Sequence, residues 1–339
     1  MTTPTTIDSA LAKKLLPTRE PGAHKWSVGG VLVIAGSPLY TGAAWLASRA
    51  AGRAGAGIVI LASGRGVIGA ISGSLPEVAH LILPESDSQS GAKRTLELVT
   101  EKLAKVKSVV IGPGLGDDES TAALLSTLFG LNRSPLKLRE NIGFGLRIKP
   151  LAANSDGAEA TTQVLETTAN HGAIFGDGGI PVVIDADALN WLAKQSEWWS
   201  AFPNDTVVLT PHVGELSRLL DVTTEEILEN PQKHAEQAAK TWHQVVVLKA
   251  GRTIATDGKR TFVADHESAA LATAGSGDVF AGTIGALLAQ GLAPLDAAVL
   301  AIHLGTSAAG ALAADFGELG VVATDLPDAI ARATRVLAS

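Results

Sequence analysis

The sequence predicts one three-layer α/β/α domain with a mostly parallel central sheet and a β-hairpin at one edge. Short apolar runs, such as residues 30–36 and 245–248, alternate with helical patterns. Strands that are apolar throughout are typical of parallel sheets covered by helices on both faces. Glycine, aspartate and histidine clusters follow several of these runs. Open parallel sheets gather their ligands there, beyond the carboxyl ends of the strands.

The predicted strands share an unbroken apolar run that ends at a glycine, a proline or a polar residue. They lie at residues 30–36, 58–62, 78–83, 108–111, 181–184, 207–209 and 245–248. Helices are predicted at residues 41–56 and 92–104, and over nearly all of the chain after Gly277. Residues 254–263 are broken by the turn sequence Asp-Gly-Lys-Arg, which predicts an antiparallel hairpin at the edge of the sheet.

Residues 132–180 interrupt this alternation with mixed polarity, several glycines and a single helical pattern near 159–169. Their apolar content is too low for a separate core, so we expect an insertion at the rim of the sheet. The sequence contains no internal repeat and no clear linker. We therefore expect a single domain over residues 1–339.

Composition excludes several classes of function. The chain has 27 basic and 34 acidic residues and a net charge of −7, which disfavours nucleic acid or an anionic membrane as a partner. Zero cysteines exclude disulfides, thiolate catalysis and metal sites with sulfur ligands. The first twenty residues lack the apolar core of a signal peptide, which favours the cytoplasm. Residues 297–314 are uncharged and long enough to span a membrane, but their Ala- and Gly-rich composition predicts a buried helix instead.

The most informative segment is residues 273–282 (TAGSGDVFAG), which leads into a long predicted helix. Small residues allow successive backbone N–H groups to point at one anion, and the helix N-terminus adds its positive dipole end. Asp278 falls in the first helical turn, where it could accept a proton from a hydroxyl that attacks phosphorus. An aspartate at this position could also serve only to favour the helix dipole. The surrounding Gly-x-Gly favours the catalytic interpretation.

The standard nucleotide-binding motifs are missing. Residues 36–42 and 112–117 both fail the G-x-G-x-x-G pattern, and Gly258-Lys259 lacks the other residues of a P-loop. A Rossmann dehydrogenase and a P-loop ATPase are therefore both disfavoured.

Two clusters of titratable residues follow predicted strands. His212 and Glu215 lie at a Thr-Pro helix start, where Glu215 could act as a stabilising cap and His212 could contact substrate at the rim of the sheet. Two such residues do not make a zinc site. Of Asp185 and Asp187, one could guide a hydrated Mg²⁺ near phosphates while the other caps the following helix. The sequence leaves the assignment open.

Residues 249–253 (KAGRT) follow another predicted strand and lead into the hairpin. Their cations and free amides suit the phosphates of a nucleotide. A solvated turn is the alternative interpretation of the same residues.

Eight segments, read in order along the chain, together resemble the ADP-dependent NAD(P)H-hydrate dehydratase family, a repair branch of the ribokinase-like fold. They are residues 36–37 with 40–43 (GS, YTGA), 53–57 (RAGAG), 76–77 (PE), 111–116 (IGPGLG), 185–190 (DADALN), 210–215 (TPHVGE), 249–251 (KAG) and 275–278 (GSGD). The resemblance covers most of residues 24–326, apart from 132–180. Many relatives have a glycine where this chain has Ala274.

The resemblance implies a hydro-lyase reaction. The β-phosphoryl group of ADP would pass to the hydroxyl at C6 of the S-epimer of hydrated NADH or NADPH, and loss of phosphate would restore the ring and leave AMP. Hydroxide is a poor leaving group and phosphate a good one. ADP would thus be the co-substrate, with Mg²⁺ bridging the phosphates.

The resemblance also implies roles for individual residues. Asp278 is the base and contacts the substrate, together with the residues that touch the hydrated dinucleotide: Ala43, Gly114, Gly116 and His212. The adenylate and phosphate groups of ADP are held by Lys249, Ala250, Gly251, Arg252, Thr253, Gly275 and Gly277. Relatives are often tetramers, which implies a homo-oligomer. The epimerase domain fused to some relatives is not expected here, because the first predicted strand begins by residue 30.

Two other functions remain open from the sequence. A ribokinase-like kinase that phosphorylates a vitamin precursor or a sugar with ATP would use the same Gly-x-Gly-Asp, since fold does not determine function. A nucleotide sensor that binds the dinucleotide without turnover is the second alternative, suggested by departures such as Ala274.

Overall fold

The computed structural model describes residues 2–84, 89–131, 173–175 and 179–339. Within these residues ten strands form one sheet. The strands are β1 (Thr5–Ile7), β2 (Gly30–Ile34), β3 (Ile58–Gly64), β4 (Ala79–Leu83), β5 (Ser108–Ile111), β6 (Val182–Ile184), β7 (Val207–Leu209), β8 (Val245–Leu248), β9 (Ile254–Thr256) and β10 (Thr261–Ala264).

The helices of the described residues cover both faces of this sheet. They are α1 (Ser9–Lys14), α2 (Lys25–Val28), α3 (Thr41–Arg53), α4 (Arg65–Ile71), α5 (Gln89–Leu103), α6 (Glu119–Phe129), α7 (Asp187–Leu192), α8 (Val213–Leu220), α9 (Thr224–Glu229), α10 (Pro231–Trp242), α11 (Ser276–Ala289), α12 (Pro294–Phe316) and α13 (Leu326–Ala338).

The strand order is β1-β10-β9-β8-β7-β6-β5-β2-β3-β4. Strand β9 runs antiparallel to both β8 and β10, and every other pairing is parallel. The predicted hairpin therefore forms, but it is not the outermost element, because β1 pairs beyond β10 and occupies the edge. Strand β1 has three residues, too few for a recognisable hydrophobic period, and pairing with β10 stabilises it.

The two faces of the sheet bury separate hydrophobic layers. Val31 and Val33 of β2 belong to the layer formed with α3, α11, α12 and α13. Leu32 and Ile34 of the same strand belong to the layer formed with α5 to α10. Because successive side chains of a strand point to opposite faces, both sets are buried and the strand is apolar throughout. The predicted three-layer architecture is confirmed.

Within the described residues, α12 is the one helix whose length and composition would allow it to cross a membrane. Its most apolar window has a mean hydropathy of 1.6, and 61% of that window is buried inside the protein. It packs between α11 and α13 and against the sheet. The position agrees with the predicted buried helix.

The predicted insertion at residues 132–180, with its helical pattern near 159–169, lies almost entirely outside the described residues. Only 173–175 and 179–180 of this segment are described, and they form a short 3-10 turn followed by the entry to β6. The single-domain organisation remains a prediction.

Candidate active site

The register of the sheet brings polar residues together at the carboxyl ends of the central strands. Ile111 of β5 pairs with Ile184 of β6, which pairs with Leu209 of β7. The next residues along each strand, among them Asp185 and Thr210, therefore lie side by side. Lys249 follows β8 and forms an isolated parallel bridge with His212. Segments far apart in sequence thus meet at one rim.

Asp185 is the centre of a buried polar network. Its carboxylate oxygen Oδ1 accepts hydrogen bonds from Thr210 Oγ1 at 2.7 Å and from Lys249 Nζ at 2.8 Å, and the residue is 1% exposed. Burial acts to lower the pKa of Lys249, but Asp185 and Glu215 outweigh it and raise the pKa above its ordinary value. Lys249 is therefore a fixed cation at the floor of the site.

The N-terminus of α11 faces this cation. A Cβ built on Gly277 would lie 3.3 Å from Lys249 Nζ and 3.7 Å from Asp185 Oδ2, so the absence of a side chain keeps the space above the ion pair open. Gly275 occupies the N-cap with φ 91°, and no described side chain caps the helix. The first amides of a helix have no intrahelical partner and are available to an anion. The glycine turn therefore begins a helix as expected, and anion binding by it stays a prediction.

Asp278 lies in the first turn of α11, as predicted. Its carboxylate forms no ion pair or side-chain hydrogen bond with the described part of the chain. Burial raises the pKa of Asp278 to about 7, the negative charge of Asp185 adds to the rise, and Lys249 opposes it. A carboxyl group of this pKa can accept a proton near neutral pH.

His212 and Glu215 form a reciprocal cap at the start of α8. His212 Nδ1 accepts from the backbone N–H groups of Gly214 at 2.9 Å and Glu215 at 3.3 Å, while Glu215 Oε2 accepts from the His212 N–H at 2.8 Å. The sequence predicts the cap by Glu215 but misses the cap by histidine. Because Nδ1 is an acceptor here, the proton of the neutral ring is on Nε2.

The environment of this pair favours its neutral forms. Burial raises the pKa of Glu215 to about 7. Burial, followed by the positive charge of Lys249, lowers the pKa of His212. The imidazole side chain is 52% exposed. Its Nε2 lies 3.6 Å from Glu215 Oε1 and is otherwise open to solvent at the rim of the sheet.

Neither aspartate of the Asp185–Asp187 pair caps the helix that follows. Helix α7 begins at Asp187, and Ala186 occupies the N-cap without a side-chain hydrogen bond. Asp187 Oδ2 instead accepts from the Gly116 N–H at 2.8 Å. Ala186 has φ 50° and ψ −119°, a conformation that non-glycine residues rarely adopt. The two carboxylates thus have different partners: Asp185 bonds to Thr210 and Lys249, and Asp187 bonds to the loop after β5.

The loop after β5 packs closely against the start of α3. A Cβ on Gly114 would approach Ala43 Cβ to 2.6 Å and Tyr40 Cβ to 2.8 Å, so only glycine permits the loop after β5 to pack against the start of α3. Gly116 lies two residues farther along that loop. The predicted substrate contacts Ala43, Gly114 and Gly116 are thus neighbours. Tyr40, which the sequence analysis did not single out, is 56% exposed beside them.

A cavity of about 610 Å³, which we call the nucleotide-sized cavity, opens beside Gly277. Its lining includes five of the predicted nucleotide-binding residues: Lys249, Ala250, Gly251, Thr253 and Gly277. Arg252 and Gly275 are not among its lining residues. The Arg252 Nε donates to the Ala264 carbonyl at 2.7 Å and so braces the base of the hairpin. The volume is of the size typical of small-molecule sites.

Sequence reasoning missed two members of the site. Thr210 holds Asp185, and Glu267 lies close to Gly251, where a Cβ would approach Glu267 Oε1 to 2.6 Å. The position of Thr210 directly after a predicted strand was the available signal. Nothing local marks Glu267, because the fold brings it to the cavity from beyond the hairpin.

Comparison with known proteins decides the family. The model of the NAD(P)H-hydrate dehydratase family matches residues 31–136 and 150–332. The chain belongs to this family. The matched ranges contain Ala43 and Gly114 as well as the nucleotide-sized cavity and α11, so the family resemblance found in the sequence is confirmed.

Relatives within the NAD(P)H-hydrate dehydratase family include larger proteins. The bifunctional NAD(P)H-hydrate repair enzyme of Moorella thermoacetica is 33% identical over 323 residues, which are 95% of this chain and 52% of that protein. The enzyme of the same name from Escherichia coli is 31% identical over 312 residues, covering 92% of this chain and 48% of the relative. The chain thus spans about half the length of the curated relatives it matches.

Solved structures share the fold. An ADP/ATP-dependent NAD(P)H-hydrate dehydratase from Bacillus subtilis, co-crystallised with ATP and Mg²⁺, has a TM-score of 0.73 and 23% identity and covers 99% of this chain and 100% of its own. A hydroxyethylthiazole kinase from Pyrococcus horikoshii has a TM-score of 0.54 and 17% identity, with coverage of 95% and 92%. A ribokinase-like superfamily protein from Enterococcus faecalis has a TM-score of 0.74 and 19% identity and covers 98% of this chain and 96% of its own, so the ribokinase-like fold is confirmed.

Proposed function

We propose that the chain is an ADP-dependent dehydratase that converts the S-epimer of hydrated NADH or NADPH to NADH or NADPH and releases AMP and phosphate. The observation that carries the proposal is the position of Asp278. Within the described residues its carboxylate has no ion-pair or side-chain hydrogen-bond partner, and it lies in the first turn of α11 directly after Gly277, which lines the nucleotide-sized cavity. A base in this position can serve a hydroxyl on one side and a phosphoryl group on the other.

The first step is phosphoryl transfer. Asp278 accepts the proton of the C6 hydroxyl while that oxygen attacks the β-phosphorus of ADP. A new oxygen–phosphorus bond forms, and the bond to the bridging oxygen of AMP breaks. The amides at Gly275 and Gly277 and the ammonium group of Lys249 stabilise the negative charge that develops on the transferred group.

The second step is elimination. The lone pair of the ring nitrogen expels phosphate from C6, and loss of the C5 proton then restores the C5–C6 double bond. The elements of water thus leave the ring, with the hydroxyl oxygen carried away in phosphate. His212 Nε2–H and the loop at Gly114 and Gly116 would hold the dinucleotide in place for this step.

Ligands for Mg²⁺ are also present. In nucleotide sites Mg²⁺ is usually held by one or two carboxylates together with substrate phosphates and water. The described residues contain no group of three or more His, Cys, Asp or Glu placed to enclose a metal ion. Asp187 accepts from the Gly116 N–H, so Asp185, whose Oδ2 faces the space above Gly277, would hold Mg²⁺ jointly with the nucleotide. When bound, the ion neutralises phosphate charge.

The remaining predicted contacts are assigned to the nucleotide. Lys249, Ala250, Gly251 and Thr253 would bind the nucleotide with their backbone and side chains, and Arg252 would support them by bracing the hairpin. The B. subtilis fold neighbour that was crystallised with ATP and Mg²⁺ supports a nucleotide as a ligand. Cytoplasmic pools of hydrated NAD(P)H and ADP would supply both substrates.

We also propose self-association, to a tetramer. Leu39 is 85% exposed and Leu319 is fully exposed, and large apolar side chains at the surface favour a protein partner. Sedimentation velocity tests this: a tetramer is expected, and a monomer at micromolar concentration contradicts it.

The decisive experiment incubates the purified chain with hydrated NADPH, ADP and Mg²⁺. The absorbance of reduced nicotinamide should return, with one AMP and one phosphate released per molecule repaired. Asp278→Asn should lower the rate by about 10²- to 10⁴-fold, the usual contribution of a positioned base. Glu119→Gln, an exposed acid in the first turn of α6, is the matched control and should retain the rate.

Other outcomes identify the alternatives. ATP-dependent phosphorylation of an alcohol, with no repair of the hydrate, would favour the kinase, a possibility supported by the shared fold of the thiazole kinase. Tight dinucleotide binding without turnover, unchanged in Asp278→Asn, would favour the sensor.

A further inference from the structure

A second cavity lies on the opposite side of α12 from the nucleotide-sized cavity. It has a volume of about 550 Å³ and is formed where α1, α12 and α13 meet. On α12, His303 and Ser307 line it, whereas their neighbours Ile302 and Thr306 line the nucleotide-sized cavity. We call this second cavity the α12–α13 groove. It is separate from the proposed active site.

The floor of the α12–α13 groove is apolar. Leu312 of α12 and Ala329 and Leu337 of α13 line it and are buried. Val336 adds apolar surface at the rim, where it is 65% exposed. Such a floor favours a ligand with an apolar body, because covering it removes hydrocarbon surface from water.

The rim of the groove carries two free cations. Lys13 of α1 and Arg332 of α13 line it, and neither forms an ion pair with any described residue. In contrast, Arg49 and Arg53 bind Asp328 on another side of α13, at 3.1 and 2.7 Å. The groove thus keeps two positive charges available.

Asp8 and Asp265 lie near enough to act on His303 but are not among the lining residues, so the charge of the groove is counted on its lining alone. Asp315 is the one carboxylate among the described lining residues. Burial lowers the pKa of His303, so its ring is neutral near pH 7, and its Nε2 lies 3.5 Å from Ser9 Oγ. The lining therefore carries one net positive charge in a chain of net charge −7.

We propose that the α12–α13 groove binds a small organic anion with an apolar body, whose carboxylate, phosphate or sulfonate group lies between Lys13 and Arg332. The apolar part covers Leu312 and its neighbours on the floor, and the hydroxyls of Ser9 and Ser307 supply further hydrogen bonds. The argument does not depend on the reaction proposed for Asp278.

The probe for this proposal is 8-anilinonaphthalene-1-sulfonate, which joins a sulfonate to aromatic rings and fluoresces when its surroundings become apolar. The full chain should bind it saturably in the presence of excess ATP, which occupies the other cavity. The double variant Lys13→Gln, Arg332→Gln should weaken binding about tenfold, since each partly exposed charge contributes a few-fold. The matched variant Lys14→Gln, Arg335→Gln removes the same charges from the same helices outside the groove and should change affinity less than about twofold.

A second measurement covers the case in which the double variant fails to fold. Uncharged N-phenyl-1-naphthylamine has a similar apolar body and should bind the unmodified chain at least about tenfold more weakly than the sulfonate. Equal affinity for the two probes contradicts the proposal, as does equal weakening in both double variants or complete displacement by ATP. Binding that weakens as protein concentration rises would assign the groove to a second copy of the chain and also overturns the proposal.

Discussion

Replacing Asp278 by asparagine should stabilise the fold while it removes turnover. A protonated aspartic acid and an asparagine have nearly the same shape, so the variant resembles the enzyme with this carboxyl group held neutral. In the parent protein the group ionises above pH 7 in a buried position near Asp185, which costs folding free energy.

The size of the effect follows from the shift of the pKa from 3.8 to about 7. At 1.36 kcal/mol per pKa unit, the full shift corresponds to about 4 kcal/mol. The native state holds a proton that the unfolded state releases between these two values, so the stability of the parent protein falls as pH rises through the interval. Asp278→Asn has no carboxyl group at this position and so lacks this pH-dependent loss of stability. The free-energy difference should be near zero at about pH 4, about 2 kcal/mol at about pH 5.5 and about 4 kcal/mol at about pH 8.

Urea unfolding of both proteins at these three pH values measures the difference. The control is Glu119→Gln, which removes an exposed charge from the first turn of α6 and should change stability by less than about 0.5 kcal/mol at every pH. A gap between parent and Asp278→Asn that is the same at all three pH values would refute the reasoning, because only a titrating group gives the predicted slope. A less stable variant at high pH would refute it equally.

Three further predictions concern the same rim. The kcat/KM of the parent should rise with pH through about 7, because the base must be unprotonated, and a rate that stays level down to pH 5 would contradict this role for Asp278. Gly277→Ala places a methyl group 3.3 Å from Lys249 Nζ and should weaken nucleotide binding at least about tenfold, as measured by calorimetry. The control is Gly310→Ala, which has open space around the new methyl group and should leave nucleotide binding unchanged. Ala186→Gly should raise the free energy of unfolding by about 1 kcal/mol, since glycine adopts φ 50° without strain, and a loss of stability in urea unfolding would show that the alanine is not strained.

The sequence predicts the central strands because each is buried on both faces and so carries an unbroken apolar run. Strand β5 occupies Ser108–Ile111, the residues predicted for it. In contrast, β1 (Thr5–Ile7) forms by pairing with β10, a contact that no local pattern encodes. Helix α4, with the sequence RGVIGAI, was not expected, since two glycines lower its intrinsic helix propensity and packing against α3 and β3 stabilises it instead.

The residues of the site likewise divide into those that the sequence predicts and those that it does not. Asp278 and its Gly-x-Gly turn are contiguous in the chain, so their arrangement at a helix N-terminus is predictable. The link from Thr210 to Asp185 and Lys249 depends on the register of neighbouring strands, which the sequence does not specify. The cap by His212 was missed for another reason: serine, threonine and aspartate are the residues usually expected at that position.

The carboxyl groups of Asp278 and Glu215 each have a pKa of about 7, and both lie near enough to the ammonium group of Lys249 to act on its pKa. A nucleotide that brings further negative charge into this cluster raises both values and draws protons from solution as it binds. The heat of ADP binding at pH 7 should therefore change with the ionisation enthalpy of the buffer, and the slope gives the number of protons taken up. Magnesium, which brings the opposite charge, should reduce that number.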